Sequence, residues 1–113
     1  MEIERVPSLV ADITVFRLKG PFTLSSMFDF QAALRSPEVK GTIIDLSGVS
    51  YMDSAGLGVL LGNYAHTQRA GFKFALAGVS SRLRTLFEIT HTDQVLPLFA
   101  SQADAEKSFG AGG

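Results

Sequence analysis

The 113-residue sequence predicts an α/β fold: a small, mostly parallel sheet of four to five strands with about four helices. Three observations carry that prediction. Short apolar runs alternate with segments of helical spacing, in the order β β α β α β α β α. The length suits one hydrophobic core. Hydrophobic residues at 46% and charged residues at 19% are globular proportions. Strands separated by helices need crossover connections, which make neighbouring strands parallel. One domain is expected over residues 1–110, with 111–113 a frayed tail.

The first segment, "IERVPSLV", reads as a weak strand, because Pro7 removes a ladder donor and favours an edge. "DITVFRLKG" alternates, with Ile13, Val15 and Arg17 on one face and Thr14, Phe16 and Leu18 on the other. The two are expected to form a hairpin across Ala11-Asp12, and Gly20-Pro21 then breaks the chain. Met27, Phe30 and Leu34 fall on one helical stripe behind Ser25 or Ser26 as cap, and Pro37 ends that helix. "GTIIDLSG" is β-branched and bounded by glycines, which suits a strand buried on both faces. A helix runs from Ser54 to about Ala70 and stops at Gly71. "FKFALAG" is a further strand, and Leu83, Leu86 and Phe87 mark the next helix. "QVLPLFA" is a short strand or extended edge, and Ser101 with Asp104 opens a last helix in capping-box-like spacing. Phe28, Phe72, Phe74, Phe87 and Phe99 are assigned to packing, and Arg82 and Arg84 to a solvated helix face.

Composition removes several classes of function. With no cysteine, a disulfide scaffold, a thiolate zinc site and a cysteine nucleophile are excluded. A net charge of −1 argues against direct nucleic-acid binding and against adsorption on an anionic membrane. "MEIERVPS" lacks the apolar core of a signal peptide, and "AGLGVLLG" is far short of the roughly 20 residues of a membrane span. A cytoplasmic protein without membrane insertion is expected. There is no P-loop, no metal-ligand spacing and no G-x-S-x-G around Ser54, and His66 and His91 stand apart. Neither an enzyme nor a cofactor or metal is expected.

The stretch "VSYMDSAGLGVLLGNY" stands out. Gly56, Gly58 and Gly62 follow Ser54 closely, and each helical glycine costs about 1 kcal/mol relative to alanine. At 100° per residue, Leu57, Leu60, Leu61, Tyr64 and Gln68 share the side expected to face the sheet. Ala55, Gly58, Val59, Gly62 and His66 share the other, with Arg69 near its margin. The first two outward turns therefore carry no charge, where a solvated face normally carries Lys, Glu or Gln. Small side chains there admit another backbone, either the protein's own or a partner's. Ser54 sits at the positive end of this helix, as a plain N-cap or as an acceptor of phosphate.

"DLSGVSYMDSAGLGVLLGNY" resembles the signature of STAS domains, and closely that of the bacterial anti-sigma factor antagonists. The family pattern, an apolar strand ending Asp-Leu followed by Asp-Ser-(Ser or Ala)-Gly-Leu at a helix start, matches Asp45, Leu46, Asp53, Ser54, Ala55, Gly56 and Leu57. The likeness continues in family order through "GFKFALAGVSSRLRTLFEITHTDQVLPLF". It implies a small sheet with helices on one side and a regulatory switch without catalysis. It further implies that Ser54 is phosphorylated by an anti-sigma factor that is also a serine kinase. The unphosphorylated form would bind that partner and free a sigma factor, and a serine phosphatase would reset the switch. Asp53, Ser54, Ala55, Gly56, Gly58, Val59, Gly62 and Thr23 are the implied contact residues. One departure stands near the phosphosite: the family's Gly-Glu-(Leu or Ile)-Asp is here Gly20, Pro21, Phe22 and Thr23. That departure keeps a second reading open, a non-switching STAS subunit of a stress-signalling scaffold or of a lipid-transport ABC system.

Overall fold

A computed structural model describes residues 1–110 apart from 7, 9 and 35–40. Four strands form one sheet in sequence order: β1 (Glu2–Val6), β2 (Ile13–Lys19), β3 (Gly41–Gly48) and β4 (Lys73–Ala77). β1 is antiparallel to β2, with Val6 opposite Val15 and Glu2 opposite Lys19, as the expected hairpin requires. The turn carries Asp12 at φ 64°, a conformation Asp tolerates better than most residues. β2, β3 and β4 run parallel, with Ile43 beside both Val15 and Ala75. The readings that Pro7 weakens the first strand, that Pro37 stops the first helix and that the tail frays all fall outside the described residues.

A 3₁₀ turn over Leu24–Ser26 leads into α1 (Met27–Ala33), followed later by α2 (Ser54–Ala70), α3 (Ser81–Ile89) and α4 (Gln102–Gly110). A second 3₁₀ turn lies over Thr92–Gln94. Gly71 at φ 78° closes α2, and its N–H bonds the carbonyl of Gln68, so the predicted glycine stop holds. α3 is capped by Ser80, whose hydroxyl accepts from the Leu83 N–H at 3.2 Å. The Asp104 N–H donates to Ser101 Oγ at 3.2 Å, as the spacing at the last helix predicts.

The core lies on both faces of the sheet, which corrects the expectation of helices on one side. Phe16, Leu18, Ile44, Leu46, Phe74 and Leu76 face Phe30 of α1, Leu57 and Leu60 of α2, and Leu83 and Phe87 of α3. Val15, Ile43, Ala75 and Ala77 face the other way and are covered by Ala105 and Phe109 of α4. The physical reason is visible in β3, where every residue from Gly41 to Leu46 is buried, so both of its faces need a cover.

Of the two readings of "QVLPLFA", short strand or extended edge, the second holds: it makes one parallel bridge, Leu98 with Leu76, through Leu76 N–H to Pro97 O at 2.9 Å and Phe99 N–H to Leu76 O at 2.8 Å. Pro97 lacks the N–H that a longer ladder would use. Other expectations need correction. Neither Ser25 nor Ser26 caps α1 by its side chain. Ser26 is buried instead, donating to the Pro21 carbonyl at 2.9 Å. Phe28 is 73% exposed and Phe72 41%, so neither is core, whereas Phe74 and Phe87 are. Phe99 is half-buried against the α4 cluster.

Candidate functional site

The loop after β3 and the loop after β2 are stitched together before α2 begins. Phe22 and Met52 form an isolated parallel bridge. The Phe22 N–H donates to Tyr51 O at 2.8 Å, and the Asp53 N–H returns to Phe22 O at 3.2 Å. Phe22 and Met52 are buried, which anchors the bridge in the core. The bridge brings Thr23 beside the start of α2, although the two are far apart in sequence. Thr23 is half-buried; its hydroxyl lies 2.9 Å from that of Ser25, and its N–H donates to Ser26 Oγ at 3.3 Å.

Asp53, in extended backbone at φ −96° and ψ −179°, is the N-cap of α2. Its Oδ1 accepts from the Gly56 N–H at 2.8 Å. This corrects the plain-cap reading of Ser54: with Asp53 capping, Ser54 is the first residue of the helix. Ser54 is exposed, and its hydroxyl bonds no other described residue. Tyr51, 54% exposed, stands three residues earlier in the same loop.

The glycines of α2 divide into two kinds. Gly56 is buried, and a Cβ there would meet the carbonyl oxygen and the ring of Phe22, the ring carbon at 2.6 Å. It serves the protein's own packing against Phe22 and, being buried, is set apart from the open part of the face. Gly58 and Gly62 are exposed, and a Cβ at either would meet nothing within 4 Å. Nothing internal requires them to be glycine. Ala55 and Val59 are half-buried beside them.

This small-residue face forms one wall of a groove of about 560 Å³, with Met27, Phe30, Gln31 and Leu34 of the α1 side opposite. α1 borders the face without roofing it. All nine lining residues, Asn63 included, are uncharged. The stripe of Met27, Phe30 and Leu34 was legible at helical spacing, but only Phe30 is core; Met27 and Leu34 are half-buried at the groove's edge. Leu24, 61% exposed, and Phe28 carry apolar surface on the same segment, and no spacing rule had marked either as surface. On the inner face of α2, Leu57 and Leu60 are buried and Leu61 and Tyr64 half-buried, as expected. Gln68 is exposed, however, and Thr67 is buried in its place.

A third contact steadies the loop. Buried Asp45, at the end of β3, accepts the Ser47 N–H at 2.9 Å and pairs with Arg17 Nε at 3.2 Å. Gly78, at φ 65°, turns so close to it that a Cβ would lie 2.7 Å from Asp45 Oδ1. His66, His91, Arg82 and Arg84 are all exposed. Among the described residues, no three or more His, Cys, Asp or Glu side chains gather in a metal-holding group. No helix among them is long and apolar enough to cross a membrane.

The Asp-Ser-Ala-Gly-Leu run opens a helix after a strand whose apolar run ends Asp-Leu, in the order that the STAS resemblance gave; the bridged loops and the Asp53 cap are what the structure adds. The STAS domain family model matches residues 3–105. The chain belongs to the STAS domain family. This STAS domain is 44% identical over 55 residues to the anti-sigma-B factor antagonist of Listeria monocytogenes, a match covering 49% of this chain and 48% of that protein. The chain thus spans about half the length of that relative. It is 25% identical over 97 residues to the anti-sigma F factor antagonist of Paenibacillus polymyxa, covering 82% and 83% of the two chains. The fold is similar to that of the anti-sigma factor antagonist SpoIIAA in its unphosphorylated form, with a TM-score of 0.78 and 18% identity over 97% of each chain.

Proposed function

We propose that this STAS domain is an anti-sigma factor antagonist of the cytoplasm, not an enzyme. In its unphosphorylated form it binds an anti-sigma factor that is also a serine kinase and so frees a sigma factor. Phosphorylation of Ser54 ends the binding, and a serine phosphatase restores it. The observation that carries the reading is the pair of open glycines, Gly58 and Gly62, on the groove wall beside an exposed Ser54. A helix loses about 1 kcal/mol at each such glycine, with no internal packing to offset it. A partner backbone approaching along Ala55, Gly58, Val59 and Gly62 gives them a reason. Thr23, stitched to the helix start through Phe22, and Asp53 flank the contact.

The charge argument follows from the same face. A phosphoserine carries about −1.5 to −2 charge at neutral pH. Placed against an uncharged groove in a close contact, it loses hydration without gaining a cation. A cost of ~2–3 kcal/mol weakens binding roughly 30- to 150-fold. The relatives named as anti-sigma factor antagonists support the reading. Intact mass after incubation with the cognate anti-sigma kinase and ATP tests it: one phosphate is expected on wild type and none on Ser54→Ala. A wild type that stays unmodified contradicts the switch.

Pro21 and Thr23, in place of the family's Glu and Asp, favour a second reading, a non-switching STAS subunit of a stress-signalling scaffold or a lipid-transport ABC system. Affinity capture on wild type and on Ser54→Asp separates the two. A histidine-kinase-like ATPase retained only by wild type supports the switch; STAS multimers or a transporter ATPase retained equally by both support the scaffold.

A further inference from the structure

We propose that Asp53 is a charge brake on this switch: the carboxylate that caps α2 while Ser54 is free opposes the phosphorylated form. This rests on the reading of Ser54 as the phosphorylated residue. The start of α2 offers a limited set of unpaired N–H groups and about half a unit of positive charge. Asp53 already draws on both, holding one of those groups, the Gly56 N–H, on its Oδ1 at 2.8 Å and placing its own negative charge at the positive end. Ser54, Ala55, Gly56 and Leu57 bring no cation to the first turn, and Pro21 and Thr23 bring none to the adjoining loop. Asp53 makes no ion pair among the described residues.

A phosphate at the first helical position meets this carboxylate at once. It is one residue away and draws on the same positive helix end. Either the two anions share the helix start, or Asp53 gives up the Gly56 N–H. Both raise the energy of the phosphorylated form relative to a helix with a neutral cap. The backbone of Asp53 is also the return half of the bridge to Phe22, through N–H to O at 3.2 Å. A displaced cap therefore loosens the loop that carries Thr23. In physical terms, the unphosphorylated, partner-binding form is favoured by the residue next to its own acceptor.

A double-mutant cycle tests this with neither kinase nor partner. Urea unfolding is measured for wild type, Asp53→Asn, Ser54→Glu and the double variant, with Ser54→Gln as a neutral match in both backgrounds. Asparagine caps as well as aspartate, so the helix start survives the change. Ser54→Glu is expected to raise the unfolding constant roughly three- to tenfold more beside the native Asp53 than in the Asp53→Asn background, the size expected of two partly solvated charges. Ser54→Gln is expected to act equally in both backgrounds. The Glu-specific difference should shrink at about 1 M NaCl, where the screening length is about 3 Å. Equal effects of Ser54→Glu in both backgrounds, or the same difference with Ser54→Gln, overturn the brake. Such a failure leaves the switch standing, while an unmodified Ser54 in the kinase assay removes the switch whatever the cycle shows.

Discussion

Ser54 sits one residue past its helix cap, and that offset decides what its hydroxyl is free to do. Serine and aspartate are both preferred N-caps, so the local sequence Asp53-Ser54 leaves the assignment open. A non-local contact settles it: the Phe22–Met52 bridge holds Asp53 extended, with its carboxylate over the Gly56 N–H. Asp53→Ala is expected to lose about 1 kcal/mol of stability in urea unfolding, and Asp53→Asn to lose little. Gly56 is the other residue whose role came from across the fold. A methyl group there meets Phe22 backbone, and Gly56→Ala is expected to cost about 1–3 kcal/mol by the same measurement. Sequence alone could not separate Gly56 from its neighbours, because all three glycines share one motif and only the fold says which one another chain segment touches.

At the level of elements, α2 carries the account. Its inner face was legible from spacing over the first turns, where Leu57 and Leu60 are core, and slipped near the end, where Thr67 replaces Gln68. An outer face without charge was also legible, and it is open as a solvated face with the wrong composition. What spacing did not give was the other wall. Apolar residues at helical spacing mark a stripe, not what the stripe meets, so Met27 and Leu34 read as core although they rim a groove, and Phe28 points to solvent. Gly58→Ala and Gly62→Ala are each expected to stabilise the free protein by about 0.5–1 kcal/mol, since the added methyl touches nothing. The same substitutions are expected to weaken capture of the anti-sigma partner, measured by titration calorimetry. Gain of stability with loss of binding is the signature of glycines kept for an interface.

Across the whole molecule, the alternation of strands and helices gave the element order through α3 and the parallel core of the sheet, while the segment before α4 is a single bridge where a short strand or an extended edge was expected. The hairpin, the glycine stop of α2 and the last helix also followed from local signals. The side on which that last helix packs did not. Yet a β3 apolar on both faces already demanded a second layer, and α4 supplies it through Ala105 and Phe109. Phe109→Ala is expected to cost about 3 kcal/mol and lower Tm by roughly 10–20 °C, without changing partner affinity, because α4 lies across the sheet from α2. Stability of the scaffold and affinity of the groove are thus separable properties of one small domain. The most direct measurement of the central claim is the affinity of the purified anti-sigma partner for this protein with Ser54 free and with Ser54 phosphorylated, under identical salt. The account predicts a loss of roughly 30- to 150-fold on phosphorylation; equal affinity for the two forms contradicts it.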